Sequence, residues 1–340
     1  MIKKTLYFGN PAYLSLRTGQ MVIKLPEVES NDQLPEVMKK RAETTKPIED
    51  IGVVVLDNRR ITITQGLLEA LLENNCAVIT CDSHSLPVGL MLPLYGNSTQ
   101  NERFRYQLEA SLPLRKQLWQ QTIKAKIENQ AAVLSACSGT PVKNMKRWAD
   151  DVRSGDPDNV EGHAAAYYWH NFFSTITGLE TFTRSREGMA PNNILNYGYA
   201  ILRAVVARAL VASGMLPTLG IHHHNRYNAY CLADDIMEPY RPYVDELVFA
   251  IVKDQGVENL QLTTTLKARL LSIPTLDVVI GGKRSPLMVA ATQTTASLYK
   301  CVSGEVHRRG RLSCARSSIL RSFWCSHERC SRSGTSLCRL

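Results

Sequence analysis

The 340-residue sequence lacks an apolar segment that is both long enough to cross a membrane and free of charge. Its most apolar helix-like segment, residues 197–216, contains Arg203 and Arg208, which a membrane-spanning helix rarely tolerates. The basic start, Met1-Ile2-Lys3-Lys4, is followed by an apolar stretch that is too short for a signal peptide. We therefore expect a cytoplasmic protein with no membrane partner.

Two further absences concern cofactors. The chain has no Gly-x-x-x-x-Gly-Lys segment, the loop that cradles nucleotide phosphates, so nothing indicates a nucleotide cofactor. None of its nine cysteines stands in a common zinc-binding spacing, although Cys325 and Cys330 lie near His327. The five cysteines before residue 306 are scattered through apolar surroundings, which is typical of buried thiols in a reducing compartment.

Positive charge is concentrated at the C-terminal end. The formal net charge is +9, but residues 306–340 contain eight Arg, no Lys and one Glu, which supply +7 and leave +2 for the rest. A nearly neutral body can still bind DNA through a local basic face, but bulk charge is poor evidence for it. The abrupt enrichment in Arg, Ser and Cys indicates either a genuine basic tail or an out-of-frame or readthrough extension. We favour the second interpretation and expect residues 306–340 to be disordered.

The remaining chain predicts an α+β fold with two domains. Residues 1–92 alternate short apolar runs with turn signals and predict a small, sandwich-like β-domain with one helix at 65–72. Residues 93–98 are predicted to form a linker. From residue 99 to 305 the apolar period is close to 3.6, which predicts an all-helical domain. Its expected helices include 143–152, 194–213, 232–252 and 285–302, and one that Asn159 or Asp158 would cap.

Acidic and imidazole side chains in this helical domain suggest a metal site. Asp235 and Glu238 are three residues apart on a predicted helix that is otherwise apolar, so their face is expected to turn inward. His223 lies in a loop before that helix, and Glu161 comes from another helix. An oxygen-rich site with one imidazole suits Mg²⁺ or Mn²⁺, and such an ion can polarise a phosphate.

Other interpretations of these residues stay open at this point. A pair of acids on a helix is commonly a solvated face, and Glu161 in a first turn could simply interact with the helix dipole. Three consecutive histidines, His222 to His224, cannot all bind one ion, so His222 or His224 could replace His223 as the ligand.

Three blocks of sequence stand out in the helical domain: EGHAA (161–165), NNILNYGY (192–199), and GIHH (220–223) followed by DIMEPYRP (235–242). In this order they closely resemble the CRISPR-associated integrase family, the Cas1 endonucleases of spacer acquisition, in the form found in type II systems. The resemblance covers roughly residues 1–305, whereas the tail has no counterpart in the family. It implies an N-terminal β-domain followed by a helical catalytic domain.

The resemblance also implies a catalytic metal triad, Glu161, His223 and Glu238, with Asp235 as a possible further ligand. It implies a Mg²⁺- or Mn²⁺-dependent integrase that inserts short DNA fragments into a CRISPR repeat by 3′-hydroxyl transesterification. The implied partners are a second copy paired through the β-domain, a small subunit of the adaptation complex, double-stranded protospacer and repeat DNA, and possibly the RNA-guided effector nuclease.

Six basic residues are candidates for contacts to the DNA backbone. These are Arg59, Arg60, Lys143, Lys146, Arg147 and Arg241. Two other functions compete with integration: a metal-dependent nuclease that cuts branched or single-stranded DNA in repair, and a structural DNA-binding dimer without catalysis. The repair nuclease would use the same site residues, so only the reaction products separate it from an integrase.

Overall fold

The protein divides into two compact units at Gly96, inside the segment predicted to be a linker. The computed structural model describes residues 3–31, 37, 39, 43–185, 188–305 and 311–315. The first unit is rich in strands and the second in helices, so the predicted α+β class is confirmed.

Two four-stranded sheets form the N-terminal unit. The first has the order β1 (Lys4–Phe8), β5 (Ile51–Leu56), β7 (Ala77–Cys81), β8 (Pro87–Met91); its first three strands are parallel, and β8 is antiparallel to β7. The second has the order β4 (Thr44–Pro47), β3 (Gln20–Lys24), β2 (Tyr13–Arg17), β6 (Thr62–Ile63). A short helix, α1 (Pro26–Glu29), follows β3, and α2 (Gln65–Glu73) follows β6.

Both sheets and helix α2 contribute to one apolar core. Phe8 of the first sheet and Leu14 of the second belong to the same buried cluster, together with Leu67 and Leu71 of α2. Leu67 and Leu71 are four residues apart and therefore share a helix face. The predicted N-terminal β-domain and its helix near residues 65–72 are confirmed. The short helix α1 and the parallel pairing of β1, β5 and β7 were not predicted.

The C-terminal unit consists mainly of helices. They are α3 (Gln100–Glu109), α4 (Leu112–Ser138), α5 (Lys143–Asp151), α6 (Val160–Phe172), α7 (Asn192–Ala212), α8 (Cys231–Met237), α9 (Arg241–Gln255), α10 (Thr264–Leu270) and α11 (Leu287–Val302). A hairpin of β9 (Asp277–Ile280) and β10 (Lys283–Pro286) precedes α11. The expectation of an all-helical domain was therefore wrong in this detail.

Helix α7 is the central core helix of this unit. It is long and apolar enough to cross a membrane by composition alone, but 78% of its most apolar window is buried inside the unit. A Cβ added to Gly198 would lie 2.6 Å from Cγ1 of Val244 on α9. The missing side chain therefore permits the two helices to approach closely.

The helix predicted over residues 232–252 is interrupted. Helix α8 ends at Met237, a 3₁₀ turn covers Glu238–Tyr240, and α9 begins at Arg241. Pro239 and Pro242 lack backbone N–H groups and cannot complete a regular α-helical ladder through this segment. Glu238 is therefore the first residue of the 3₁₀ turn that links the two helices.

Five residues of the predicted anomalous tail are described, and they pack into the helical unit. Leu312 and Ala315 are buried. The backbone N–H of Leu312 donates to Gln121 Oε1 at 2.9 Å, and the carbonyl of Ala315 accepts from Asn129 Nδ2 at 3.0 Å. Residues 311–315 therefore have defined contacts, and the rest of the predicted tail lies outside the described residues.

Candidate active site

The first turn of α6 presents Glu161. Asn159 adopts a left-handed backbone conformation and caps the helix, its side chain accepting from Gly162 N at 3.3 Å, as the sequence predicted. The two carboxylate oxygens of Asp156 accept from the backbone N–H groups of Val160 and Glu161 at 2.9 and 3.0 Å. Capping by two side chains satisfies backbone donors that a helix start leaves unpaired. Glu161 thus projects from a well-anchored helix end.

Glu238 approaches the same position from the 3₁₀ turn. It is buried, with 4% of its surface exposed. The Nε atom of Arg241, three residues later, lies 2.9 Å from Glu238 Oε1. Burial opposes ionisation, but the charges of Arg241 and then Lys126 lower the pKa of Glu238 below its usual value. This carboxylate is therefore ionised at neutral pH.

A buried lysine joins the two acids. The Nζ atom of Lys126, on α4, lies 2.6 Å from Glu161 Oε1 and 2.6 Å from Glu238 Oε2. Burial would lower the pKa of Lys126, but the charges of Glu238 and Glu161 outweigh it and raise that pKa. The sequence reasoning missed this residue. The only hint in the local sequence is that Lys126 stands between two apolar residues, Ala125 and Ile127.

Asp235 organises the histidine loop, which comprises residues 220–224. It is fully buried, and one of its oxygens accepts from the backbone N–H groups of Ile221 and His222 at 2.7 and 3.0 Å. The other oxygen accepts from His223 N at 3.2 Å and lies 2.5 Å from His223 Nδ1. Both oxygens of Asp235 are thus engaged inside the protein and hold His223, and a further role of Asp235 as a metal ligand stays a prediction.

The orientation of His223 follows from that contact. The hydrogen bond to Asp235 raises the pKa of His223, with the charges of Glu238 and Glu161 adding to the effect. Because Nδ1 faces Asp235, Nε2 is the nitrogen left for a metal ion, an arrangement common among metal-binding histidines. Gly220 permits the loop to turn here, since an added Cβ would collide with the carbonyl oxygen of His223.

The neighbouring histidines have other contacts. The ring of His222 stacks on Trp119, with centroids 4.1 Å apart and planes 2° from parallel, and burial lowers the pKa of His222. The Nδ1 atom of His224 lies 2.7 Å from the carbonyl oxygen of His222, and the side chain is exposed. The rings of Trp119 and His223 are nearly perpendicular, and their centroids lie 5.5 Å apart. These contacts favour His223 as the catalytic imidazole, which stays a prediction.

The residues predicted to touch DNA divide into two groups. Lys143, Lys146 and Arg147 are exposed on α5, and Arg59 and Arg60 are exposed on the N-terminal unit. Arg241 differs, because it pairs with Glu238 and lies 4.7 Å from the centre of the Tyr199 ring. Arg241 is therefore a counter-ion to the acid in this structure, and its contact to a DNA backbone stays a prediction.

The fit to a divalent metal is partial in this arrangement. Within the described ranges, no three His, Cys, Asp or Glu side chains are close enough together to hold an ion as they stand. The two acids nevertheless converge on one buried cation, the Lys126 ammonium, and the charges of both acids reach His223. Carboxylate oxygens with one imidazole suit Mg²⁺ or Mn²⁺. The types of donor atom therefore suit the predicted ion, and metal binding stays a prediction.

Comparison with known proteins decides the family. The family model described as CRISPR associated protein Cas1 matches residues 8–281. A protein of Neisseria meningitidis named CRISPR-associated endonuclease Cas1 is 38% identical over 304 residues, which cover 89% of this chain and 91% of the relative. The chain belongs to the Cas1 family. The resemblance predicted from the sequence is confirmed.

Solved structures show the same fold. A casposase bound to integration product superposes with a TM-score of 0.73 at 21% identity, covering 94% of this chain and 96% of the other. A chain of a Cas6-RT-Cas1–Cas2 complex gives a TM-score of 0.69 at 18% identity, covering 92% of this chain and 36% of that longer one. These likenesses show that the fold is shared over most of the chain.

An open cavity of about 320 Å³ lies beside the histidine loop of this Cas1 protein. Apolar side chains such as Met215 and Leu219 line it, together with His223 and the cationic Arg115 and Arg226. A cavity that combines apolar walls with a few cationic groups suits a base and its phosphate.

Proposed function

We propose that this Cas1 protein is a divalent-metal-dependent DNA integrase that inserts short DNA fragments into a CRISPR array as new spacers. The observation that carries the proposal is the convergence of two carboxylates from separate elements, Glu161 and Glu238, on one buried cation position. The imidazole of His223 is held by the buried Asp235, and the charges of Glu161 and Glu238 help to raise its pKa. Family membership supplies the reaction class.

In the proposed reaction the 3′-hydroxyl of the incoming fragment attacks a phosphodiester at the edge of the repeat. One P–O bond forms, another breaks, and the hydroxyl proton passes to the released 3′-oxygen by way of solvent. A bound Mg²⁺ or Mn²⁺ ion would supply polarisation of the scissile phosphate. Glu161, Glu238 and His223 Nε2 would hold that ion, and Asp235 fixes the imidazole ring through its contact with Nδ1.

The cavity beside His223 offers a place for the end of the incoming strand, because it adjoins the imidazole and contains cationic side chains. We extend the proposal to the partners: a second copy of the chain, a small Cas2 subunit and double-stranded DNA. A chain of similar fold occurs in a Cas1–Cas2 complex, which supports this choice. The exposed lysines of α5 are candidates for contacts to the DNA backbone.

Strand joining tests the proposal. The purified protein, a Cas2 partner and Mn²⁺ would be incubated with a supercoiled repeat-bearing plasmid and a labelled short duplex. Glu161→Gln removes one carboxylate charge from the site, whereas Asp254→Asn removes a charge from an exposed ion pair with Arg269 and serves as the matched control. We expect joined label with the wild type and the control, and a loss of at least 100-fold with Glu161→Gln.

The other possible outcomes identify the competing functions. Plasmid nicking without joined label would replace the proposal with a hydrolytic nuclease of repair. A wild type that binds the duplex but neither nicks nor joins would indicate a structural DNA-binding protein. Joining that is unchanged in Glu161→Gln would refute the assigned site while leaving the reaction class in place.

A further inference from the structure

The ammonium group of Lys126 lies between the two acids that would hold the metal ion. We propose that Lys126 is a built-in counter-cation that occupies the metal position, keeps Glu161 and Glu238 together without the ion, and weakens metal binding because the ion must displace it. This inference rests on the proposed function, since it deepens the description of the same site. Lys126 is a positioning residue in this account.

The geometry supports an occupied cation position. Lys126 extends from the buried side of α4, only 9% exposed, and both of its short contacts are to carboxylates of other elements. A buried ammonium is costly unless its charge is compensated, and two acids at 2.6 Å provide that compensation.

The local charges balance without a metal ion. Glu161 and Glu238 carry two negative charges, and Lys126 and Arg241 carry two positive charges within contact of them. Two nearby carboxylates repel each other in a poorly solvated site, so the ammonium holds them at the spacing a shared cation needs. The acids are consequently preorganised before any ion arrives.

The same balance opposes metal binding. A divalent ion that takes both carboxylates must either sit beside the ammonium, which repels it, or push the ammonium out of its ion pairs. Either way, part of the attraction between the ion and the acids is lost. A neutral side chain of similar length at position 126 removes this competition, so it should increase metal affinity while destabilising the metal-free protein.

Lys126→Met is the main test, because methionine keeps much of the apolar stem and removes the charge. Lys124→Met is the matched control: it lies on the same helix but pairs with Asp150, at 2.6 Å, outside the site. Lys126→Arg keeps the charge, and Glu161→Gln identifies ions bound at this site. Mn²⁺ binding would be measured by electron paramagnetic resonance, and thermal unfolding with and without Mn²⁺.

We expect Lys126→Met to bind Mn²⁺ at least tenfold more tightly than wild type and to show a lower Tm without metal. Mn²⁺ should raise its Tm by more than it raises that of wild type. Lys124→Met should match wild type in Mn²⁺ affinity and in the change of Tm that Mn²⁺ causes. Lys126→Arg should bind Mn²⁺ as weakly as wild type. A structural lysine with no part in metal competition would lower the Tm without increasing the affinity, and equal or weaker Mn²⁺ binding by Lys126→Met would overturn the proposal.

A measurement on the wild type covers the case in which Lys126→Met does not fold. In protein labelled with ¹⁵N at lysine Nζ, diamagnetic Mg²⁺ should shift the Lys126 resonance, assigned by its absence in Lys126→Arg. An unchanged resonance at saturating Mg²⁺ would equally overturn the proposal. Failure of the proposed function looks different: wild type and all lysine variants would bind no Mn²⁺ at this site, or would bind it without joining DNA.

Discussion

Replacing Asp235 with asparagine should release the histidine loop without unfolding the helical unit. The carboxylate accepts from three successive backbone N–H groups, those of Ile221, His222 and His223, and contacts His223 Nδ1. An asparagine has one oxygen in place of two, and its NH₂ group would face donors instead of accepting from them. Both the loop backbone and the imidazole therefore lose partners.

The size of the effect follows from these contacts. Hydrogen bonds to a charged acceptor contribute about 1.5–3 kcal/mol each, and asparagine would lose about two of them. The resulting loss, on the order of 3 kcal/mol, would appear mainly as local opening, because the loop lies at the surface whereas Asp235 is on buried α8. Loss of the partner that orients a metal-binding histidine typically weakens metal affinity or activity 10- to 100-fold.

Amide hydrogen exchange is the decisive assay. An opening free energy that falls by about 3 kcal/mol makes the amides of residues 221–223 exchange about 100-fold faster. Asp234→Asn is the control, because that neighbouring acid pairs with Arg203 at 2.7 Å and accepts from Asn228 rather than holding the loop. Unchanged exchange in Asp235→Asn, with only metal affinity lost, would refute the reasoning and indicate a direct metal ligand.

Two further changes are expected to alter stability. Burial raises the pKa of Asp245 to about 7, so between pH 5 and 7 the folded state binds a proton that the unfolded state has released. The free energy of unfolding therefore falls as the pH rises from 5 to 8. Asp245→Asn should remove roughly 2–3 kcal/mol of this pH dependence, measured by denaturant unfolding at pH 5 and pH 8. Ending the chain at residue 305 should lower the unfolding free energy by about 2–4 kcal/mol, since the contacts of Leu312 and Ala315 are lost. A chain ending at residue 315 keeps these contacts and should have a higher Tm than the chain ending at residue 305, and equal Tm values for the two truncations would contradict the packing.

Features with local causes were predictable from the sequence. The Asn159 cap depends on a side chain and an N–H three residues later, and the end of α7 depends on Gly214, whose φ of +67° favours glycine. The change from strands to helices near Gly96 follows from a change in apolar period. Strand pairing was less predictable, because the parallel contacts of β5 with β1 and β7 join segments far apart in the chain.

The site shows the same division between local and distant causes. The family motifs indicated Glu161, His223 and Glu238, and the structure brings the two acids together. Spacing on a continuous helix suggested that Asp235 and Glu238 share a face, but Glu238 begins a 3₁₀ turn after α8. Asp235 contacts the histidine loop, whereas Glu238 contacts the Lys126 ammonium.

The role of Lys126 could not be predicted from local sequence patterns. It is 35 residues from Glu161, and Glu238 is still farther along the chain, so no motif window contains all three. On the sequence it is one lysine in a basic, Gln-rich helix, whose ordinary place is solvent. Only the fold shows that its charge is buried between two acids. Because a buried charge needs its partners, substitutions of the lysine and of the acids should be non-additive, which a double-mutant cycle of Lys126→Met with Glu161→Gln would detect.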